Sequence, residues 1–92
     1  MPEVYMSVEW PNGQKDFVYS PSSVIRNFFN PEKEMSVSEF REKVIEALNS
    51  AGDRVREVYG FECTSATMEM NRICSILDKI KEKDKHVKIL SL

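Results

Sequence analysis

Apolar and polar residues alternate at the start of the chain, where Val4, Met6, Val8 and Trp10 interleave with Tyr5, Ser7 and Glu9. A period of two marks a strand with one buried face. Asn12-Gly13 follows, a pair suited to a two-residue hairpin turn because a type I′ turn needs positive φ at both central positions. Such a turn sets Val8 opposite Phe17, Met6 opposite Tyr19 and Trp10 opposite Lys15, so one face is mostly apolar on both strands. Pro11 lacks an N–H and belongs beside the turn, where a lost ladder bond matters least.

Beyond the hairpin the period changes. In the stretch from Tyr19 to Pro31, Ser20 suits a helix N-cap with Pro21 at the first helical position, and Ser22 and Ser23 are alternative caps. Val24, Ile25, Phe28 and Phe29 then form one apolar stripe on a helix of about two turns, closed by Asn30-Pro31. Pro31 to Met35 reads as a polar connector. Ser36-Val37-Ser38-Glu39 fits a capping box, in which the serine hydroxyl and the glutamate each satisfy a free backbone N–H. Phe40, Val44, Leu48, Ala51, Val55 and Tyr59 recur on one face of the helix that follows, and Gly60 suits its left-handed C-terminal residue. Gly52 inside it costs about 1 kcal/mol relative to alanine and marks a kink or a close helix contact. Thr64 or Ser65 caps a third helix with Ala66, Met70, Ile73, Leu77 and Ile80 inward. Its last turns, Asp78 to Lys85, are lysine-rich and complement the helix dipole. Val87 to Leu92 reads as a final strand.

These elements assemble most economically as one α+β domain over residues 1–92 with the order ββαααβ. Two long antiparallel helices cover one face of a three-stranded sheet, because an even number of long helices returns the chain to it. The last strand is placed beside the first, giving the order 2-1-3; on an edge it would be open to pairing with another chain.

Ninety-two residues suffice for one core without staples, with roughly 60–65% of the unfolded surface buried on folding. At 41% hydrophobic and 30% charged the composition is globular. Thirteen Lys+Arg against fifteen Asp+Glu leave a net charge of −2, so no general attraction to nucleic acid or an anionic membrane is expected. The N-terminus lacks a signal-peptide pattern and no apolar run is long enough to span a bilayer, which points to a cytoplasmic protein.

Candidate chemistry is sparse. His86 is the only histidine and falls at a helix-to-strand junction, where an exposed side chain is expected. With two cysteines at a spacing that matches no zinc signature, no metal or cofactor is expected. Cys63 precedes Thr64-Ser65 at a helix start, where free N–H groups lower a thiol pKa, so it is the candidate for a thiol-dependent enzyme or redox sensor. The plainer reading is a small buried hydrophobe, as for Cys74 in mid-helix. Ser20, Ser22 and Ser23 at one helix start, and Cys63, Thr64 and Ser65 at another, are candidates for an anion or small-ligand carrier, although most such residues simply cap their own helix. Arg26 with Phe28 and Phe29, together with Tyr19, are candidates for a partner surface.

Several strings together resemble a known family. They are Glu9-Trp10-Pro11-Asn12-Gly13, Tyr19-Ser20-Pro21-Ser22 with Val24-Ile25 and Phe29, Ala47-Leu48, Arg54-Val55-Arg56, and Tyr59-Gly60-Phe61 with Cys63, Ser65 and Ala66. In order and spacing they are similar to small bacterial nitrogen-starvation response proteins encoded in nitrilase-centred gene clusters. The similarity runs over residues 4–70. It implies a bacterial cytoplasmic protein associated with nitrilase-type nitrogen metabolism, in company with enzymes of the same cluster, and it implies no reaction and no catalytic residue. The first functional reading is a non-enzymatic accessory or binding module with an enzyme of that pathway as its expected partner.

Overall fold

A computed structural model describes residues 3–60, 64–82 and 84–92. Strands β1 (Val4–Glu9) and β2 (Lys15–Ser20) form the hairpin, followed by a 3-10 helix at Ser23–Asn27 and a short strand β3 (Glu34–Ser36). Helices α1 (Val37–Tyr59) and α2 (Thr64–Asp78) come next, and β4 (His86–Ser91) closes the fold. All strand pairings are antiparallel, in the order β2-β1-β4-β3. The last strand therefore lies beside the first, as expected from the sequence. The sheet has four strands rather than three, because the expected polar connector before Ser36 supplies β3 to the outer side of β4.

The hairpin departs from the expected register by one residue. Val8 faces Asp16, Met6 faces Val18 and Tyr5 faces Tyr19. A two-residue turn at Asn12-Gly13 would make Pro11 and Gln14 the closing pair, and Pro11 has no N–H to complete it. Trp10 closes the hairpin instead: its N–H donates to Gln14 at 2.8 Å, and its carbonyl accepts from Gly13 N–H at 2.9 Å. Pro11 thus takes the second position of a four-residue turn, its favoured place, and Gly13 supplies φ +90, as in the three-residue bulged hairpin loop. Consequently Val18 is buried and Phe17 is exposed.

The short helix differs too. It is a single 3-10 segment of five residues, shorter than the expected two turns, and Ser22 caps it by accepting from Val24 N–H. Ser20 ends β2 rather than capping a helix. The segment still docks through Ile25, while Phe29 beyond it is 5.6 Å from Phe40 between ring centroids. Trp10 meets the same ring edge-on at 5.7 Å. Aromatic pairs at such distances add about 0.5–1.5 kcal/mol beyond their buried area.

The first long helix follows the expected pattern closely. Ser36 accepts from Glu39 N–H at the start, and Gly60 at φ 78 ends it. Phe40, Val44, Leu48, Ala51 and Val55 are buried, but Tyr59 is exposed. In α2, Ala66, Ile73 and Leu77 are buried, and Met70 and Ile80 pack against the core from its margin. The helix stops at Asp78 rather than continuing through the lysine-rich run. Only Ile80 in that run offers an apolar anchor, and the chain must turn back to start β4. Contacts of Arg41 with Asp78 and of Gly52 with Ala66 show that α1 and α2 run antiparallel. No helix among the described residues is long and apolar enough to cross a membrane.

A Cβ built on Gly52 would meet the Ala66 Cβ at 3.7 Å, an ordinary van der Waals contact, so glycine is not sterically required there. Replacing Gly52 by alanine should stabilise the protein by about 0.5–1 kcal/mol through helix propensity. Urea denaturation measures this directly, and a loss of stability would mean that α2 packs too tightly for the added methyl.

Candidate functional site

Because of the hairpin register, Val4, Met6, Val8 and Val18 face the helices with Val87 and Ile89 of β4, and alternate residues face away. That second face is open. Tyr5 and Phe17 are 58% and 60% exposed, and Tyr5 and Tyr19 stand directly opposite with ring centroids 5.4 Å apart. Tyr19 also donates its hydroxyl to Glu3 at 3.3 Å. Phe17, two residues before Tyr19 on β2, projects from the same face, and these three side chains form the aromatic corner of the sheet. Toward the turn, Lys15, Glu9, Lys88 and Glu34 are register partners in succession across all four strands, so charge alternates across the sheet. His86 Nδ1 lies 2.8 Å from Glu34; that hydrogen bond, with the His86 and Lys88 charges, holds the Glu34 carboxyl below its ordinary pKa.

The outer edge of β2 is closed by side chains. Phe17 N–H donates to Asp16 Oδ1, Phe17 carbonyl accepts from Arg72 Nη2, and Tyr19 N–H donates to Glu69 Oε2, each at 2.7 Å. Arg72 also holds Glu69 at 2.7 Å and Asp16 at 2.9 Å. Hydrogen bonding to Glu69 first, and then to Asp16, raises the Arg72 pKa above its ordinary value against the effect of burial. Burial raises the Asp16 pKa, but hydrogen bonds from Arg72, the Phe17 N–H and the Trp10 indole, together with the Arg72 charge, outweigh it and lower the carboxyl.

The expected site residues are dispersed. Tyr19 joins the open aromatic corner. Ser20 and Ser22 are buried: Ser20 Oγ donates to the Ser22 carbonyl at 2.7 Å and accepts the Ser22 N–H at 3.3 Å, and the Ser22 hydroxyl serves Val24. These contacts stitch strand to helix. Arg26 is exposed, Phe28 packs against the core cluster, and Phe29, expected at a partner surface, is buried in the core against Phe40. Thr64 and Ser65 begin α2 and are exposed; Thr64 lines a cleft of about 610 Å³ with Gly52, Asp53, Arg56 and Met68. Cys63 lies outside the described residues. Cys74 is a free thiol, half-buried on α2. Among the described residues no group of three or more His, Cys, Asp or Glu side chains could hold a metal ion.

A second cleft, of about 870 Å³, lies between the hairpin turn and the end of α2, with Trp10, Lys15, Ile76 and Lys79 in its walls. Neither cleft is lined by Tyr19, Ser20, Ser22, Arg26 or Phe28. The sequence did contain the signal for the aromatic corner, since Tyr5, Phe17 and Tyr19 alternate with the core positions. One residue of register turned two of them inward in the expected hairpin.

Residues 5–92 match the model of a family described as nitrogen starvation-induced protein NitG. The match continues through α2 and β4, beyond the 4–70 stretch that carries the resemblance in sequence. No curated protein and no solved structure matches the chain.

The Arg72 network should contribute measurably to stability. Arg72→Met removes the donor to Phe17 and the partner of two carboxylates, and should lower stability by about 1–2 kcal/mol, discounted for its partial exposure; urea denaturation at neutral pH reads this. For Asp16 the folded pKa lies below the unfolded one, so its stabilisation is complete above about pH 4 and is lost as the pH falls through the folded value. The stability gap between wild type and Asp16→Asn should therefore narrow in acid. A gap unchanged between pH 7 and pH 2 would remove Asp16 from this role.

Proposed function

The chain belongs to the nitrogen starvation-induced NitG family, and we propose that it is a non-catalytic accessory protein that docks a protein partner on its open sheet face. The observation that carries this reading is the aromatic corner of Tyr5, Phe17 and Tyr19, with two of its rings more than half exposed. Tyrosine and phenylalanine supply large, rigid contact area, and binding energy concentrates on such anchors inside a polar rim. Here the rim is the alternating charge row, which gives a partner a directional electrostatic pattern without a strong net attraction. In line with the resemblance to nitrilase-cluster proteins, the proposed partner is an enzyme encoded in the same gene cluster, in the bacterial cytoplasm. Arg26 and Phe28 lie apart from this face and belong to no part of the reading.

Tagged protein crosslinked in nitrogen-starved cells should enrich one cluster-encoded enzyme. Phe17→Asp alters an exposed side chain, so it should leave the fold intact while weakening the partner about 30-fold, as loss of a hot spot of roughly 2 kcal/mol requires. Failure to recover such an enzyme would overturn the accessory reading. Equal recovery by Phe17→Asp would remove the aromatic corner from it.

A further inference from the structure

We propose that the cleft of about 870 Å³ between the hairpin turn and the end of α2 binds a small organic anion, one with a carboxylate or phosphate group on an apolar or planar body. This goes beyond the docking role: the cleft contains no residue of the open aromatic corner and shares only Lys15 with the charged rim. Its volume is in the range of small-molecule sites, roughly 300–1,000 Å³.

The walls combine two chemistries. Ile76 and Ile80, partly exposed on α2 and the turn that follows it, supply apolar surface beside the rim of the buried Trp10, and Lys15, Lys79 and Lys81 bring cations from the hairpin and from the end of α2. The acids in the cleft are already engaged. Asp16 is held by Arg72 and the Trp10 indole, and Glu82 pairs with Lys85 at 3.0 Å. By contrast, Lys15, Lys79 and Lys81 make no ion pair among the described residues. The cleft is therefore locally cationic in a chain of net charge −2. The dipole of α2 accounts for lysines just past its end, but not for Lys15 arriving from β2. The other cleft offers no comparable charge, because Arg56 and Asp53 in its wall neutralise each other.

Apolar walls and cations select a ligand that has both parts. An inorganic anion would leave the partly exposed Ile76 and Ile80 uncovered, and a neutral apolar molecule would leave the lysines unanswered. Three lysines on flexible stems act as point charges rather than as a bidentate fork, so they fit either headgroup.

Trp10 is the only tryptophan, and its emission reports occupancy. Titration of the full chain with phenyl phosphate and with benzoate should give a saturable change for at least one, and their relative affinity identifies the headgroup. Inorganic phosphate should bind more weakly than phenyl phosphate, and benzylamine, with the charge reversed, should give no saturable change. The double variant Lys79→Glu, Lys81→Glu should bind about tenfold more weakly or worse, with unchanged circular dichroism. Added salt should weaken binding to the wild type. Should the double reversal disturb folding, Lys79→Ala with Lys81→Ala provides the same comparison. The proposal fails if neither anion gives a saturable response, if benzylamine binds as well, or if the folded lysine variant binds as tightly as wild type.

Discussion

A backbone N–H that Pro11 does not have decides which side chains of the second strand face the core. A closing pair formed by Pro11 and Gln14 would be one hydrogen bond short, so the hairpin closes one residue earlier, at Trp10 and Gln14. That single step reverses β2. Val18 and Ser20 turn inward, and Phe17 and Tyr19 turn out. With side chains repeating every two residues, no intermediate arrangement exists. The aromatic corner, the buried serine pair and the position of Asp16 beneath Arg72 all follow from it.

Helix α2 then exploits the edge that this register creates. Phe17 and Tyr19 present three outward backbone groups, and Asp16, Arg72 and Glu69 satisfy them. Bonds across about fifty residues of sequence thus tie the second helix to the first hairpin. Hydrogen bonds to charged groups are the stronger class, and they hold α2 where Ile73 and Leu77 meet the core. Hydrophobic burial provides most of the attraction, whereas the clamp sets where along β2 the helix sits.

Much of the architecture was legible in the sequence. Both long helices, the capping serine at Ser36 and Gly60 as the left-handed end follow from periodicity and cap chemistry, whereas the place of β4 beside β1 rests on the economy of the assembly alone. Strand β3 was hidden because three residues with one apolar side chain carry no period, and it forms only because β4 offers an edge to pair with. The lysine-rich run looked like helix because its propensity is good, but without an inward-facing stripe that propensity had nothing to dock. The candidate surfaces were the least legible. Arg72 meets Asp16, and Lys15 shares a cleft with Lys79, through separations that local patterns cannot encode. The serines at 20 and 22 have the chemistry of anion ligands, yet their hydroxyls bond to the backbone of their own segment.

The row of Lys15, Glu9, Lys88 and Glu34 begins with a cation at one border of the sheet and ends with an anion at the other, so two molecules laid border to border would attract head to tail. A contact of that kind uses different surfaces on each copy and does not close, which is the geometry of a filament. By occupying backbone groups of β2 with Arg72 and Glu69, while Asp16 takes the Phe17 N–H, the second helix takes away one of the two surfaces such growth would require.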